Sequence, residues 1–212
     1  MNEFLIFDMD DTIFETKSIG EEPVKPILDK FEHLLIHRFG TELAKEIVAK
    51  LWKYPFDVIA DTYKFDEYQN SEFARLVNEN EYNLKVQPFE DFNLVKNLKQ
   101  EKVLVTTGFS KLQNAKIQHL GLEKEFNKIY IDDILDPKRI FKKGIFKNIL
   151  LDKNIKPEFV YIVGDNPHSE LKAGFELGLN TIQVAKFGQK RSEYANYYIS
   201  NFKELIPILA VK

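Results

Sequence analysis

The 212-residue chain carries 30 Lys and Arg residues against 33 Asp and Glu residues, which gives a net charge of −3. This weakly acidic balance, without a basic run, argues against binding to nucleic acid or to an anionic membrane surface. A hydrophobic share of 44% argues against disorder, and the length allows one or two domains. Because cysteine is absent, disulfides and cysteine-ligated metals are excluded.

No apolar stretch approaches the ~18 residues that a membrane-spanning helix needs. The apolar run from Phe4 to Phe7 is also too short for the apolar region of a signal peptide, and Asp8 interrupts it. We therefore predict a cytoplasmic protein without a membrane partner.

The first predicted element is a strand over residues 4–7, since four consecutive apolar residues are typical of a strand buried on both faces. Three carboxylates, Asp8, Asp10 and Asp11, follow directly, and Thr12 comes next. Clustered carboxylates repel one another unless a cation lies among them, and their hard oxygens suit Mg2+. Taken alone, the segment is equally compatible with a polar turn in which Asp11 or Thr12 caps the following structure.

Residues 15–85 are predicted to form a run of helices without a strand. The first helix ends at Gly40. Thr41 is predicted to cap a second helix, which has Trp52 in its buried stripe and ends at Pro55. Weaker helical patterns follow at 56–66 and 71–80. This stretch is interpreted as a helical insertion in an otherwise alternating fold.

After the insertion, predicted helices and strands alternate, which is typical of a parallel sheet with right-handed crossovers. The predicted strands are 102–106, 128–131, 159–163, 181–184 and 197–199. The predicted helices are 88–98, 110–120, 143–152, 168–177 and one that ends near Leu209. The predicted fold class is therefore α/β, a doubly wound parallel sheet of Rossmann-like type. Its core would comprise residues 1–14 and 86–212, with 15–85 as a small all-helical domain.

Polar residues follow the predicted strands at the edge where doubly wound folds bind their ligands. Each group alone is ordinary turn or surface chemistry. Together they supply carboxylates for a divalent cation, a hydroxyl and backbone N–H groups for phosphate oxygens, and a positive charge for a transferring group. Besides the group after the first strand, Thr106, Thr107 and Gly108 end the strand at 102–106, and Asp165, Asn166 and Glu170 follow the strand at 159–163. Lys142 and Lys143 open the helix just before that last strand.

In their order along the chain, these motifs resemble those of the haloacid dehalogenase-like (HAD) phosphohydrolases. Phe-Asp-Met-Asp-Asp-Thr is similar to the first family motif, Asp-x-Asp-x-Thr, at Asp8, Asp10 and Thr12. Val-Leu-Val-Thr-Thr-Gly is similar to the second motif, a strand that ends in Thr or Ser, at Thr106. The resemblance covers nearly the whole chain.

Two further motifs carry the resemblance. Val-Gly-Asp-Asn, with Asp165 and then Glu170, is similar to the fourth motif, although the second acid is more often Asp in the family. The family's motif lysine corresponds to Lys143 or Lys142. Lys143 is preferred here because it stands with Gly144 at the opening of an apolar-patterned helix.

The resemblance implies a Mg2+-dependent phosphohydrolase that cleaves a small phosphomonoester through an aspartyl-phosphate intermediate. Asp8 would be the nucleophile, and Asp10 would act as general acid and base. Asp8, the backbone carbonyl of Asp10 and Asp165 would hold Mg2+. The substrate phosphate would contact Thr106, Thr107, Gly108 and Lys143, with support from Thr12, Asn166 and Glu170.

The helical insertion lies where the family carries a cap that closes over the site, which implies a small phosphorylated metabolite as partner. Asp10 favours phosphoryl transfer, because the dehalogenases of the family lack an acid at this position. A phosphomutase of the same family and a phospholigand-binding non-enzyme remain alternatives. Both a monomer and a homodimer are compatible with the sequence.

Overall fold

A six-stranded parallel sheet forms the centre of residues 3–51, 54 and 56–210, the part of the chain that the computed structural model describes. The strand order is β3-β2-β1-β4-β5-β6, and every neighbouring pair is parallel. This topology confirms the predicted doubly wound α/β fold. The strands are β1 (Phe4–Phe7), β2 (Glu101–Gly108), β3 (Lys128–Asp133), β4 (Val160–Gly164), β5 (Asn180–Val184) and β6 (Tyr197–Ile199).

The helices divide into two sets by their place in the chain. Those between β1 and β2, called the inserted helices, include α1 (Lys25–Phe39), α2 (Thr41–Leu51), α3 (Phe56–Thr62) and α4 (Glu67–Glu79). The later helices include α5 (Phe92–Lys96), α6 (Ser110–Leu120), α7 (Phe141–Lys153), α8 (Lys172–Glu176) and α9 (Leu205–Ala210). Among the described residues, none of these helices has the length and apolar character needed to cross a membrane.

Alternate residues of the central strands bury two opposite faces of the sheet. In β1, Leu5 and Phe7 belong to one apolar cluster, which also takes in buried residues of the inserted helices, α5, α6 and α9. Phe4 and Ile6 belong to a second cluster with residues of α7 and α8. Because successive side chains of a strand point to opposite faces, a strand covered on both faces has to be apolar throughout. β1 therefore lies at the centre of a three-layer molecule.

The segments that enter and leave the inserted helices are joined by backbone contacts. Phe14 and Pro88 form an isolated antiparallel bridge, and the N–H group of Phe89 donates to the carbonyl of Ile13 at 2.8 Å. The predicted helix at 88–98 was therefore wrong at its start. Since Pro88 is held in an extended pairing, the helix begins only at Phe92.

Other helix boundaries differ from prediction for local reasons. α4 begins at Glu67, before the predicted residue 71, because Asp66 and Gln69 form a capping box. The predicted helix 168–177 is divided into a π-helical turn at Pro167–Leu171 and the short α8. Trp52 and Pro55, predicted at the end of the second helix, lie outside the described residues.

Candidate active site

The turn after β1 places two carboxylates on separate sides of the site. The N–H group of Asp8 donates to the carbonyl of Val163 at 2.9 Å, so the pairing between β1 and β4 extends one residue beyond the strand. The chain then turns at Asp11, which has a φ of 53° and accepts a hydrogen bond from the N–H group of Thr16 at 2.8 Å. Asp11 is thus a turn residue, as the sequence indicated. Thr12 is fully buried, with its hydroxyl 3.5 Å from Oδ1 of Asp165.

An acidic cluster lies at the carboxyl ends of β1 and β4. Carboxylate oxygens of Asp8, Asp165 and Glu170 lie within 4.8 Å of one another. Lys142, at the start of α7, donates to Oδ1 of Asp8 at 2.6 Å and to Oε2 of Glu170 at 2.8 Å. The second oxygen of Glu170 accepts the N–H group of Asn166 at 2.6 Å, so both oxygens of Glu170 already have partners.

The π-helical turn and Gly164 together bring Glu170 into this cluster. Ser169 has non-helical backbone angles, and the wide turn directs the buried Glu170 back toward the end of β4. The Glu170 side chain lies against the Cα of Gly164, where a Cβ atom would collide with it. A glycine at position 164 is therefore needed for this close approach.

Burial and mutual repulsion govern ionisation in the acidic cluster. Burial, assisted by the charges of Glu170, Asp8 and Asp11, raises the pKa of Asp165 to about 8. Burial also raises the pKa of Asp8, against the opposing charge of Lys142. For Lys142, burial lowers the pKa, but the charges of Asp8 and Glu170 outweigh it and the net shift is upward. Lys142 therefore stays cationic.

A divalent cation fits the donor set of this cluster. Three carboxylates face one ammonium group, which leaves an excess negative charge in a buried place. Burial and, after it, this excess charge raise the pKa values of Asp8 and Asp165. Hard carboxylate oxygens are the ligands that Mg2+ prefers.

The carboxylate of Asp10 lies in a different environment from that of Asp8. Lys116 of α6 donates to Oδ1 of Asp10 at 2.7 Å, and Gln113 donates to Oδ2 at 3.0 Å. The hydroxyl of Thr16 also donates to Oδ1 at 3.3 Å. Burial raises the pKa of Asp10, but the charge and hydrogen bond of Lys116 outweigh that effect, so the net shift is downward. The pKa values of Asp8 and Asp10 are therefore shifted in opposite directions.

The segment Thr106–Gly108 at the end of β2 contributes unequally to the site. Thr106 is fully buried, and its hydroxyl accepts a hydrogen bond from Nε2 of Gln113 at 2.6 Å. Thr107 lines the open cleft, where its hydroxyl donates to Asp132 at 3.0 Å. A Cβ atom on Gly108 would lie 2.8 Å from Cδ of Gln113, so glycine permits the close approach of α6.

The expected placement of Lys143 beside the nucleophile was wrong. The ammonium group of Lys143 pairs with Glu176 at 2.6 Å on the exposed rim, whereas Lys142 reaches Asp8. In the first turn of a helix, adjacent residues point about 100° apart, so only one of the two lysines faces β1.

Four polar residues near the site were not predicted from the sequence: Gln113, Lys116, Asp132 and Arg139. Gln113 and Lys116 are buried on the same face of α6 as Ile117 and Leu120, and two polar residues on an apolar helix face are a recognisable signal. Asp132 stands near the end of β3, where the strand-end rule applied to the other strands also holds.

Arg139 connects the sheet edge to the inserted helices. Its guanidinium group donates to both oxygens of Asp132, at 3.1 and 2.6 Å, and to Asp57 of α3 at 3.0 Å. These residues line one wall of a cleft of about 710 Å³ that also contains Asp8, Asp10 and Asp165. The cleft is large enough for a small phosphorylated ligand.

Comparisons with known proteins agree with this fold. The chain is 27% identical to a glyceraldehyde 3-phosphate phosphatase from Pyrococcus furiosus, over 97% of the chain and 92% of the relative. A protein of the same name from Methanocaldococcus jannaschii is 26% identical over 97% and 96%. The HAD hydrolase YfnB from Bacillus subtilis, solved bound to magnesium, superposes with a TM-score of 0.65 at 19% identity over 99% of both chains.

The family profile described as haloacid dehalogenase-like hydrolase matches residues 5–184. This range begins in β1 and ends in β5, so it includes both acidic loops, the inserted helices and the start of α7. The chain therefore belongs to the haloacid dehalogenase-like hydrolases.

Proposed function

We propose that this enzyme, a phosphatase by its family and its relatives, is a Mg2+-dependent phosphomonoesterase that works through an aspartyl-phosphate on Asp8. The main support for this proposal is that two carboxylates that follow the same strand lie in different environments. Asp8 shares a buried cluster with Lys142, Asp165 and Glu170, whereas Asp10 is bonded to Lys116 and Gln113. One carboxylate is thus suited to nucleophilic attack and the other to proton transfer.

In the proposed mechanism, the carboxylate of Asp8, the backbone carbonyl of Asp10 and the carboxylate of Asp165 would hold Mg2+. When bound, the ion would supply positive charge to offset the repulsion between an anionic nucleophile and an anionic phosphoryl group. Lys142 adds a fixed positive charge next to Asp8, at 2.6 Å. Glu170 and Asn166 fix the loop that carries Asp165.

Asp8 attacks phosphorus, and an Asp8–phosphorus bond forms while the bond to the leaving oxygen breaks. Asp10 gives its proton to that oxygen, and the alcohol departs. Asp10 then takes a proton from water, which attacks phosphorus, releases inorganic phosphate and regenerates Asp8. An incoming phosphoryl dianion adds negative charge beside Asp10, which raises its pKa from the lowered value and moves it toward the acid form.

The inserted helices serve in this proposal as a cap over the cleft, with residues 15–85 as the cap domain. Arg139 supports this role because it joins α3 to the sheet edge across the cleft. A small phosphorylated metabolite is the proposed substrate class. Glyceraldehyde 3-phosphate, named for the two relatives, is the first compound to assay.

Phosphate release from a panel of small phosphomonoesters, with and without Mg2+, tests the proposal. We expect turnover that requires Mg2+ and disappears in Asp8→Asn, while that variant still binds Mg2+. A phosphomutase would instead return a bisphosphate or an isomeric monophosphate, and a binding protein would show affinity without turnover. Retained turnover in Asp8→Asn would remove Asp8 from the nucleophilic role.

A further inference from the structure

A second cavity, of about 560 Å³, lies between the inserted helices and the sheet edge. The inserted helices contribute an apolar wall, and α6 with its preceding residue contributes the opposite wall. Apolar members of the two walls include Leu28, Phe56, Phe73, Val77, Phe109 and Leu112. The cavity shares Thr107 and Ile134 with the cleft that contains the acidic cluster, so the two spaces adjoin.

The partners of Asp10 form the boundary between the two spaces. Thr16, Gln113 and Lys116 all line the apolar cavity, and all three bond to the Asp10 carboxylate. Asp10 itself lines the cleft. A general acid has to touch the leaving oxygen of its substrate. The apolar cavity, which adjoins the cleft at Asp10, is therefore within reach of the part of the substrate beyond that oxygen.

Three aromatic rings form part of the wall of this cavity. Phe56 and Phe73 stack at 4.1 Å between centroids with an angle of 4° between their planes. Phe109 lies 5.5 Å from Phe73 and 6.1 Å from Phe56. A planar or branched apolar group has extensive contact area on such a surface.

Among the described residues, the polar side chains deep in the cavity already have protein partners. The hydroxyl of Tyr82 donates to the carbonyl of Val77, and that of Thr107 donates to Asp132. Gln113 bonds to Asp10 and Thr106. Thr16 and Lys116 also bond to Asp10. The remaining polar side chains in the lining, Lys17, Glu21 and Tyr54, are exposed. The cavity therefore offers the hydroxyls of a sugar-like group few side-chain partners that are not already bonded within the protein.

We propose that this cavity binds the leaving group of the substrate and selects phosphomonoesters of apolar alcohols, with an aromatic or branched aliphatic body, over those of polyols. This inference rests on the proposed phosphatase function. In the reaction, the phosphorus–oxygen bond to this alcohol breaks, Asp10 supplies the proton to the alcohol, and water supplies the oxygen of inorganic phosphate. Glyceraldehyde 3-phosphate, with its polar three-carbon body, fills the cavity poorly.

Three phosphate esters of primary alcohols that differ in the polarity of the leaving group test the proposal, each corrected for phosphate release without enzyme. They are 2-phenylethyl phosphate, ethyl phosphate and glyceraldehyde 3-phosphate, assayed by phosphate release with Mg2+. Since a single methylene in an apolar pocket changes kcat/KM by about 10-fold or more, we expect phenylethyl phosphate to exceed both others by at least about tenfold. Equal values for phenylethyl and ethyl phosphate, or a preference for glyceraldehyde 3-phosphate, would overturn it.

The same substitution, Leu to Asn, at two positions tests whether the cavity causes the preference for phenylethyl phosphate. Leu112→Asn places an amide in the wall of the cavity, and the phenylethyl-to-ethyl ratio of kcat/KM should fall at least about tenfold. Leu151→Asn, on the exposed face of α7, should keep the wild-type ratio. Equal ratios in both variants would contradict the assignment of the cavity.

Inhibition of the unmodified enzyme gives a test that does not depend on folding of a variant. 2-Phenylethanol should inhibit ethyl phosphate turnover competitively, whereas glycerol should not. If ethyl phosphate is hydrolysed but phenylethanol does not inhibit, the cavity proposal fails and the phosphatase proposal stands. If none of the phosphate esters in the panel is hydrolysed, the phosphatase proposal itself fails.

Discussion

The ammonium group of Lys142 lies 2.6 Å from Oδ1 of Asp8, although 134 residues separate them in the chain. The side chains of both residues are almost completely buried. The neighbouring Lys143 points to the exposed rim, where it pairs with Glu176. Two adjacent lysines of one helix turn therefore have different environments, and this makes them a matched pair for mutation.

We expect Lys142→Met to lower kcat/KM by about 10²- to 10³-fold, because a preorganised positive charge next to the transferring phosphoryl group is lost. Lys143→Met should stay within about twofold of the wild type, since an exposed ion pair contributes little. Phosphate release at saturating Mg2+ measures both, and circular dichroism verifies folding. A comparable loss in Lys143→Met would restore the lysine assignment made from the sequence.

The contact between Lys116 and Asp10 predicts a change in pH dependence. Lys116 lowers the pKa of Asp10 against the opposing effect of burial. In Lys116→Met that pKa rises, so the base form of Asp10 is populated only at higher pH. Because the second step of the proposed reaction needs the base form of Asp10, the acidic limb of the kcat profile should therefore move to higher pH.

Lys111→Met is the matched control for Lys116→Met. Lys111 also lies on α6, but its partner is the exposed Glu81. The pH profile of kcat for Lys111→Met should therefore overlay that of the wild type. An unshifted acidic limb in Lys116→Met would show that Lys116 does not govern the ionisation of Asp10 during turnover.

The sheet was predictable because its strands are short apolar runs between polar turns, and period and composition reveal such runs locally. The acidic loops were predictable for the same reason, because Asp8 and Asp165 each come directly after a buried strand. The placement of Pro88 was not, because its pairing with Phe14 is a contact between segments 74 residues apart. The local sequence pattern carries no information about contacts between such distant segments.

The directions of individual side chains were also not predictable from the sequence. Lys142 and Lys143 have the same chemistry and adjacent positions, and only the packing of α7 against β2, β3 and α8 decides which one reaches Asp8. The partners of Asp10 were missed for a related reason. Gln113 and Lys116 were interpretable as ordinary helix residues until the fold placed the buried face of α6 beside the turn after β1.

The raised pKa of Asp165 predicts metal binding that strengthens with pH. Its ordinary pKa of 3.8 rises to about 8 in the folded, metal-free protein. The protonated form is thus favoured on folding, so its contribution to stability is complete below about pH 4 and is lost as the pH rises through about 8. A divalent cation needs the ionised form and displaces the proton.

Between pH 5 and 8 we therefore expect the apparent Mg2+ affinity to rise by up to about tenfold per pH unit for each displaced proton. The Mg2+-induced increase in Tm should be larger at pH 8 than at pH 5.5. Calorimetric titration in buffers of different ionisation enthalpy measures proton release directly. Asp165→Asn should lower this slope and leave the part that comes from the raised pKa of Asp8, and an unchanged slope in that variant would assign the titration to another group.

Arg139 makes two ion pairs of very different burial, which predicts unequal effects on stability. Its partner Asp132 has a side chain only 2% exposed, whereas Asp57 is 43% exposed. Arg139→Gln leaves the buried Asp132 carboxylate without its cation and should lower the free energy of unfolding by about 3 kcal/mol. Asp57→Asn removes only a solvent-screened pair and should cost less than about 1 kcal/mol. Urea unfolding of both variants with the wild type measures this difference, and equal losses would mean that the contact with α3 contributes as much as the buried pair.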